Sequence, residues 1–173
     1  AQDYKTLSLD TSYQQYYKPK MEVFLMLDTS ESMQTDNKAE LMKKGITRLV
    51  DKLYKNIQTV KVGAYLFSEP AKGGESAVAL TEKPSVNNVL NLFNNGLVNK
   101  GKTLSDTIED ALNKFSRDAA GKVIVIMTDG YTKQSEKDKV ALKKAEDAIY
   151  IDSSDMTIEE VVNKVIETIK EKM

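Results

Sequence analysis

The chain has 173 residues, 40% of them hydrophobic and 29% charged, which is an ordinary composition for one globular domain with a sizeable core. The formal net charge of -1 gives no electrostatic reason to expect nucleic acid or an anionic membrane as a partner. The sequence contains neither cysteine nor histidine, which excludes disulfides, thiol chemistry and histidine-dependent catalysis, and no apolar run approaches the ~20 residues that span a bilayer.

The N-terminal part of the chain predicts one central strand that ends in a polar motif. Residues 1–19 are polar and tyrosine-rich, and we expect an N-terminal extension or a short edge strand there. The apolar run that follows does not alternate with polar residues, which is typical of a strand buried on both faces of a parallel sheet, and it predicts a strand over 21–27. The run stops at Asp28, and Ser30 and Ser32 follow at spacings of two.

The rest of the chain alternates between helical and strand patterns. Apolar residues at helical spacing predict helices over 38–54, 85–93, 104–115, 135–146 and from 157 onward, and compact apolar runs predict strands over 60–67, 77–80, 122–128 and 148–151. Two Thr-x-x-acid sequences, at Thr103 and Thr157, have the form of helix capping boxes. This alternation predicts an α/β fold with a mostly parallel sheet, helices on both faces and one antiparallel edge strand. We expect residues 20–173 to form a single domain.

Oxygen-bearing side chains follow two of the predicted central strands and precede one predicted helix. Asp28, Ser30 and Ser32 follow the first strand. Asp129 follows another strand, and Thr103 directly precedes a helix. Ligands of an open α/β sheet bind beyond the carboxyl ends of its strands, and carboxylate and hydroxyl oxygens are the hard donors that Mg²⁺ prefers. Simpler interpretations stay open, because the serines and Thr103 can each be a helix cap and Asp129 can belong to a turn.

These three elements, in this order, resemble the metal-ion-dependent adhesion site of the von Willebrand factor A (VWA) family, which includes the inserted domains of integrins. That site consists of D-x-S-x-S, a downstream Thr and a downstream Asp, and the resemblance covers about residues 20–170. It implies a three-layer Rossmann-like fold and direct coordination of Mg²⁺, with Mn²⁺ or Ca²⁺ as substitutes, by Ser30, Ser32 and Thr103. It implies that Asp28 and Asp129 contribute directly or through water. The implied function is metal-dependent protein binding, in adhesion or assembly, through a Glu or Asp carboxylate of the partner and without catalysis.

Two positions depart from the family pattern and leave the choice of partner open. Glu31 stands where the family most often has Gly, which adds a carboxylate at the rim of the site. That carboxylate is harmless if it points outward, but it could occupy the ligand position if it turns inward. Asp152-Ser153-Ser154 replaces the usual Gly-containing turn after the last strand. The family and the start at Ala1 rather than Met favour an extracellular or cell-surface protein over a cytoplasmic one, without settling the compartment.

Two other functions compete with adhesion. Residues 96–103 match G-x-x-x-x-G-K-[ST], which predicts a nucleotide-binding phosphotransferase that uses Lys102 and Asp129. That loop acts between a strand and a helix, whereas the segment before it has helical spacing. Residues 142–172 resemble the C-terminal segment of bacterial cytidylate kinases, whose nucleotide-binding and catalytic parts have no counterpart here. The second alternative is a VWA scaffold that assembles through its surface without metal.

Overall fold

The structure is a computed structural model that describes residues 20–57, 59–68, 77–81, 101–128, 148–152 and 157–171. Its strands are β1 (Met21–Asp28), β2 (Val60–Phe67), β3 (Ala77–Thr81), β4 (Gly121–Thr128) and β5 (Ala148–Asp152). Its helices are α1 (Lys38–Asn56), α2 (Leu104–Lys114) and α3 (Ile158–Glu171), with a 3-10 turn at Glu31–Gln34. The predicted N-terminal extension and the helices predicted over 85–93 and 135–146 lie outside the described residues.

The strands form one sheet in the order β3-β2-β1-β4-β5. β1 is parallel to both β2 and β4, β4 is parallel to β5, and β3 lies antiparallel to β2 at one edge. The register places Asp28 opposite Phe67 and Leu27 opposite Met127, so β1, β2 and β4 reach the same edge of the sheet at their carboxyl ends. The segments that follow these strands therefore begin side by side.

The two faces of the sheet carry separate apolar clusters, because successive side chains of a strand point to opposite faces. Met21, Val23, Leu25 and Leu27 join the cluster beneath α1 and α3, which we call the α1/α3 face. Phe24 and Met26 join the cluster beneath α2, which we call the α2 face. All of these side chains are buried, which explains why β1 shows no polar alternation. The helix-covered α/β sheet predicted from the sequence is confirmed.

The α1/α3 face is closed by two helices that pack against each other. α1 buries one stripe of residues at helical spacing, including Ile46, Leu49 and Leu53, and α3 buries Val162 and Val165 in the same cluster. At the surface between the helices, Arg48 pairs with Glu159, and Lys52 donates to Asn163 over 3.0 Å. These exposed polar contacts add little to stability compared with the buried stripes.

The α2 face is held by polar contacts as well as by apolar packing. The hydroxyl of Tyr65 on β2 donates to a carboxylate oxygen of Asp110 on α2 over 2.5 Å. Glu22, which is 2% exposed, accepts the Ser116 amide just beyond the C-terminal end of α2 over 2.7 Å. Because a buried carboxylate is costly unless it is hydrogen-bonded, Glu22 fixes where the chain leaves α2. The sequence interpretation had not singled out Glu22.

Candidate functional site

Asp28 is the last residue of β1, and its carboxylate is buried with 1% of the residue exposed. One carboxylate oxygen, Oδ1, accepts the Ser30 amide over 2.8 Å. The other, Oδ2, accepts the hydroxyl of Thr128 over 2.7 Å. Thr128 ends β4 and lies one residue beyond the Leu27–Met127 pair, so it stands beside Asp28 on the neighbouring strand. Alternation places both side chains on the α2 face of the sheet.

The segment after Asp28 is tied down by Thr29 and Met33. Both the amide and the hydroxyl of Thr29 donate to the carbonyl oxygen of Phe67, over 2.8 and 2.9 Å, which joins this segment to the end of β2. Met33 donates its amide to the Ser30 carbonyl over 2.9 Å and sinks its side chain into the α1/α3 cluster. The chain therefore turns back over the sheet edge, with Ser30 and Ser32 between two anchored residues.

The serines of this segment do not cap α1. The N-cap of α1 is Asn37, which with Asp36 forms a turn at φ values of 58° and 55°. Ser30 precedes the 3-10 turn, but its side chain makes no capping hydrogen bond there, and Ser32 lies within that turn. The capping interpretation of the two serines thus loses its main support.

Thr103 reaches the same sheet edge from a different part of the chain. Lys102 forms an isolated parallel bridge with Phe67, and the Lys102 carbonyl accepts the Ser68 amide over 3.0 Å. Thr103 then caps α2, because its hydroxyl accepts the Asp106 amide over 3.3 Å and lies 3.2 Å from the Ser105 hydroxyl. The predicted cap is confirmed, and α2 starts beside the end of β2.

The structure thus places four of the five predicted metal-site residues along one sheet edge. Asp28 and Ser30 are buried, Ser32 and Thr103 are half-buried, and Asp129 lies outside the described residues, directly after Thr128 in sequence. Across the described ranges, no group of three or more acidic side chains is positioned to hold a metal. Glu31, directly after Ser30, is exposed.

Sequence reasoning missed two residues that shape this edge, Thr128 and Thr29. Both are nearly fully buried, at 2% and 1% exposed. The signal for Thr128 was present, since a hydroxyl residue ends a buried strand one position before Asp129. The strand order, which places β4 beside β1, is needed to see that its partner is Asp28. For Thr29 the sequence offers no such signal, because its bonds go to a backbone carbonyl.

An open, mostly parallel sheet with helices on both faces defines an α/β domain of the Rossmann-like class. A family model described as the von Willebrand factor type A domain matches residues 22–172, so the chain belongs to that family. Domains of this family typically serve as protein-interaction or adhesion modules. None of the helices in the described part of the chain is long and apolar enough to cross a membrane.

Solved structures of other proteins share the fold. The SpRpn10 VWA domain is 15% identical, with a TM-score of 0.58 over 83% of this chain and 81% of that one. An aerotolerance-related membrane protein from Bacteroides fragilis is 22% identical, with a TM-score of 0.54 over 75% of this chain and 65% of that one. BatB from Bacteroides thetaiotaomicron is 24% identical, with a TM-score of 0.54 over 75% of this chain and 64% of that one. At such identities the likeness shows the fold alone.

A short part of the chain is similar to part of an enzyme. A cytidylate kinase from Thermosipho melanesiensis is 50% identical over 38 residues, which is 22% of this chain and 18% of the kinase. The chain therefore spans less than a fifth of that relative, too little to carry an activity across. It also spans just under two thirds of the two Bacteroides proteins.

Proposed function

We propose that this domain binds a protein partner through a divalent metal, Mg²⁺ or in its place Mn²⁺ or Ca²⁺, held at the carboxyl edge of the sheet. Asp28, Ser30, Ser32, Thr103 and Asp129 would hold the metal. The observation that carries the proposal is the convergence of two anchored segments, one after β1 and one before α2, on the end of β2. Thr29 donates to the Phe67 carbonyl and the Lys102 carbonyl accepts the Ser68 amide, so hydroxyl-bearing residues that are far apart in sequence lie near the same end of β2.

The donor set fits a hard cation. Mg²⁺ takes oxygen ligands in near-octahedral geometry and usually keeps some waters, and the chain offers three hydroxyls with two carboxylates. A bound Mg²⁺ would supply an electrophilic position that a Glu or Asp side chain of the partner can occupy. The chain's own task is to hold the hydroxyls and carboxylates in place. With no histidine in the chain, we propose binding rather than catalysis.

The decisive experiment is a calorimetric titration of Mg²⁺ and of Mn²⁺ into metal-free protein. We expect saturable binding by the wild-type protein and its loss in Asp28→Ala, with Asp28→Asn as a second variant that keeps the side chain's shape. The matched control is Asp118→Ala, because Asp118 pairs with Lys20 over 3.3 Å at the opposite end of the sheet. Wild-type protein that binds neither ion at millimolar concentration would contradict the proposal and favour a metal-independent scaffold.

Access of a partner carboxylate is tested with acetate as the probe. Mn²⁺ bound to the protein speeds the relaxation of water protons, and acetate that enters the coordination shell should reduce this effect. Methylammonium chloride at the same ionic strength should leave it unchanged. Nucleotide binding that is lost in Lys102→Ala, without dependence on Asp28, would instead support the phosphotransferase alternative.

A further inference from the structure

The Asp28 carboxylate is oriented by donors from two different strand ends. The Ser30 amide belongs to the segment that follows Asp28 itself, whereas the Thr128 hydroxyl comes from β4. From this geometry we infer that Thr128 is a positioning residue of the metal site, whose hydroxyl fixes the orientation of the Asp28 carboxylate. The inference rests on the proposed function and deepens it.

A single hydrogen bond would not fix this carboxylate. The terminal torsion of an Asp side chain has a broad energy profile, so one bond to Oδ1 leaves the plane of the carboxylate free to tilt. The second bond, to Oδ2 from a separate strand, defines that plane. Thr128 suits this task because its side chain is branched at Cβ, which makes it stiff at χ1, and because the residue is only 2% exposed.

The bond also joins the strand ends that carry both predicted acidic ligands. Asp28 ends β1, and Thr128 is followed directly by Asp129. Groups that hold a metal-binding side chain through a hydrogen bond typically change metal affinity by about 10- to 100-fold when they are removed. We therefore expect loss of the Thr128 hydroxyl to weaken metal binding without removing any ligand.

The test compares variants that differ only in the hydroxyl. Thr128→Val keeps the shape of the side chain and should weaken Mn²⁺ and Mg²⁺ binding about 10-fold in calorimetry. Thr128→Ser retains a hydroxyl and should bind within about twofold of wild type. The control is Thr47→Val, which removes a half-buried hydroxyl that donates to the Lys43 carbonyl inside α1 over 3.0 Å, and α1 covers the opposite face of the sheet from Asp28. It should leave metal affinity unchanged.

A second measurement reports the orientation of Asp28 without metal. In metal-free protein, Thr128→Val should speed hydrogen exchange of the Ser30 amide, because its Oδ1 acceptor is no longer held in place. A purely structural role would lower the thermal midpoint but leave the metal affinity and Ser30 exchange at wild-type levels. If Val does not fit and the protein unfolds, Thr128→Ala is measured in its place.

The outcomes separate this inference from the proposed function. Equal metal affinity in wild type and Thr128→Val would contradict the positioning role of Thr128 but not the proposed function. Metal binding by Thr128→Ser that is as weak as that by Thr128→Val would do the same. Absence of metal binding in the wild-type protein would overturn the proposed function. If, in addition, the Ser30 amide of Thr128→Val exchanges as slowly as in wild type, the inference that Thr128 orients Asp28 is also wrong.

Discussion

Gly101 lies where the segment before α2 packs directly against the backbone of β2. Its φ of +102° lies where side-chain-bearing residues are strained. A Cβ built on Gly101 would lie 2.2 Å from the carbonyl oxygen of Leu66 and 2.7 Å from its carbon. The absence of a side chain is therefore what lets the segment before α2 lie directly against β2.

Gly101→Ala should destabilise the protein by about 3 kcal/mol or more, since it adds both backbone strain and a clash with backbone atoms that cannot move aside. It should also weaken metal binding, because Thr103 follows two residues later. The control is Gly121→Ala, whose new Cβ would have side-chain atoms of Met21 as its nearest neighbours. We expect its cost to be nearer 1 kcal/mol, as that thioether can shift. Urea unfolding measures both, and equal losses would contradict the account.

At the scale of elements, sequence patterns predicted the helices and strands because their physical causes are local. Doubly buried runs identified β1 and β4, and helical spacing identified α1, α2 and α3, with ends within about two residues of those observed. The 3-10 turn at Glu31–Gln34 and the left-handed residues before α1 were not predicted. The 3-10 turn carries Met33 into the α1/α3 cluster, which is a tertiary contact that no local pattern reveals.

The candidate site divides in the same way. The residue types at Asp28, Ser30, Ser32 and Thr103, and their positions at strand and helix ends, could be predicted from the sequence. The hydrogen bonds that bring the segments together could not, because they link backbone groups such as the Phe67 carbonyl to residues distant in sequence. The bond between Thr128 and Asp28 likewise requires the strand order.

The burial of Tyr54 on α1 predicts that the free energy of unfolding changes with pH in the alkaline range. Burial raises the pKa of Tyr54 from 10.0 to about 12. Between these values the unfolded chain loses the Tyr54 proton while the folded chain keeps it, so stability falls as pH rises through this range and is unaffected below it. Tyr54→Phe should abolish the part of this loss in the free energy of unfolding that comes from Tyr54. We expect that part to be less than about 2 kcal/mol, because Tyr54 is only part-buried.

Urea unfolding at about pH 9 and about pH 11 measures the Tyr54 effect. Comparing the change in each protein cancels the titration of the lysines and of the other tyrosines. An identical loss of stability in wild type and Tyr54→Phe would show that the ring is solvated in the folded protein.

At the scale of the whole molecule, the sheet places its larger apolar cluster and the Asp28 side chain on opposite faces. The α1/α3 face holds the larger apolar cluster, and α3, within the part of the chain that resembles a kinase tail, supplies Val161, Val162, Val165, Ile166 and Ile169 to it. Asp28 and Thr128 instead point to the α2 face. α3 is thus an integral part of the core, whereas α2 connects the core to Thr103.

This separation predicts different effects from two equally buried isoleucines. Ile169→Ala on α3 and Ile108→Ala on α2 each empty a fully buried position, and each should cost about 2–5 kcal/mol of stability in urea unfolding. Mn²⁺ affinity is measured without urea, at a temperature well below the thermal midpoints of both variants. It should stay within about twofold of wild type in Ile169→Ala, because the cavity left by Ile169 lies across the sheet from Asp28. It should fall several-fold in Ile108→Ala, because a shift of α2 displaces the Thr103 hydroxyl at its N-terminus. Equal affinity changes in the two variants would mean that the α2 face does not position the site independently of the core.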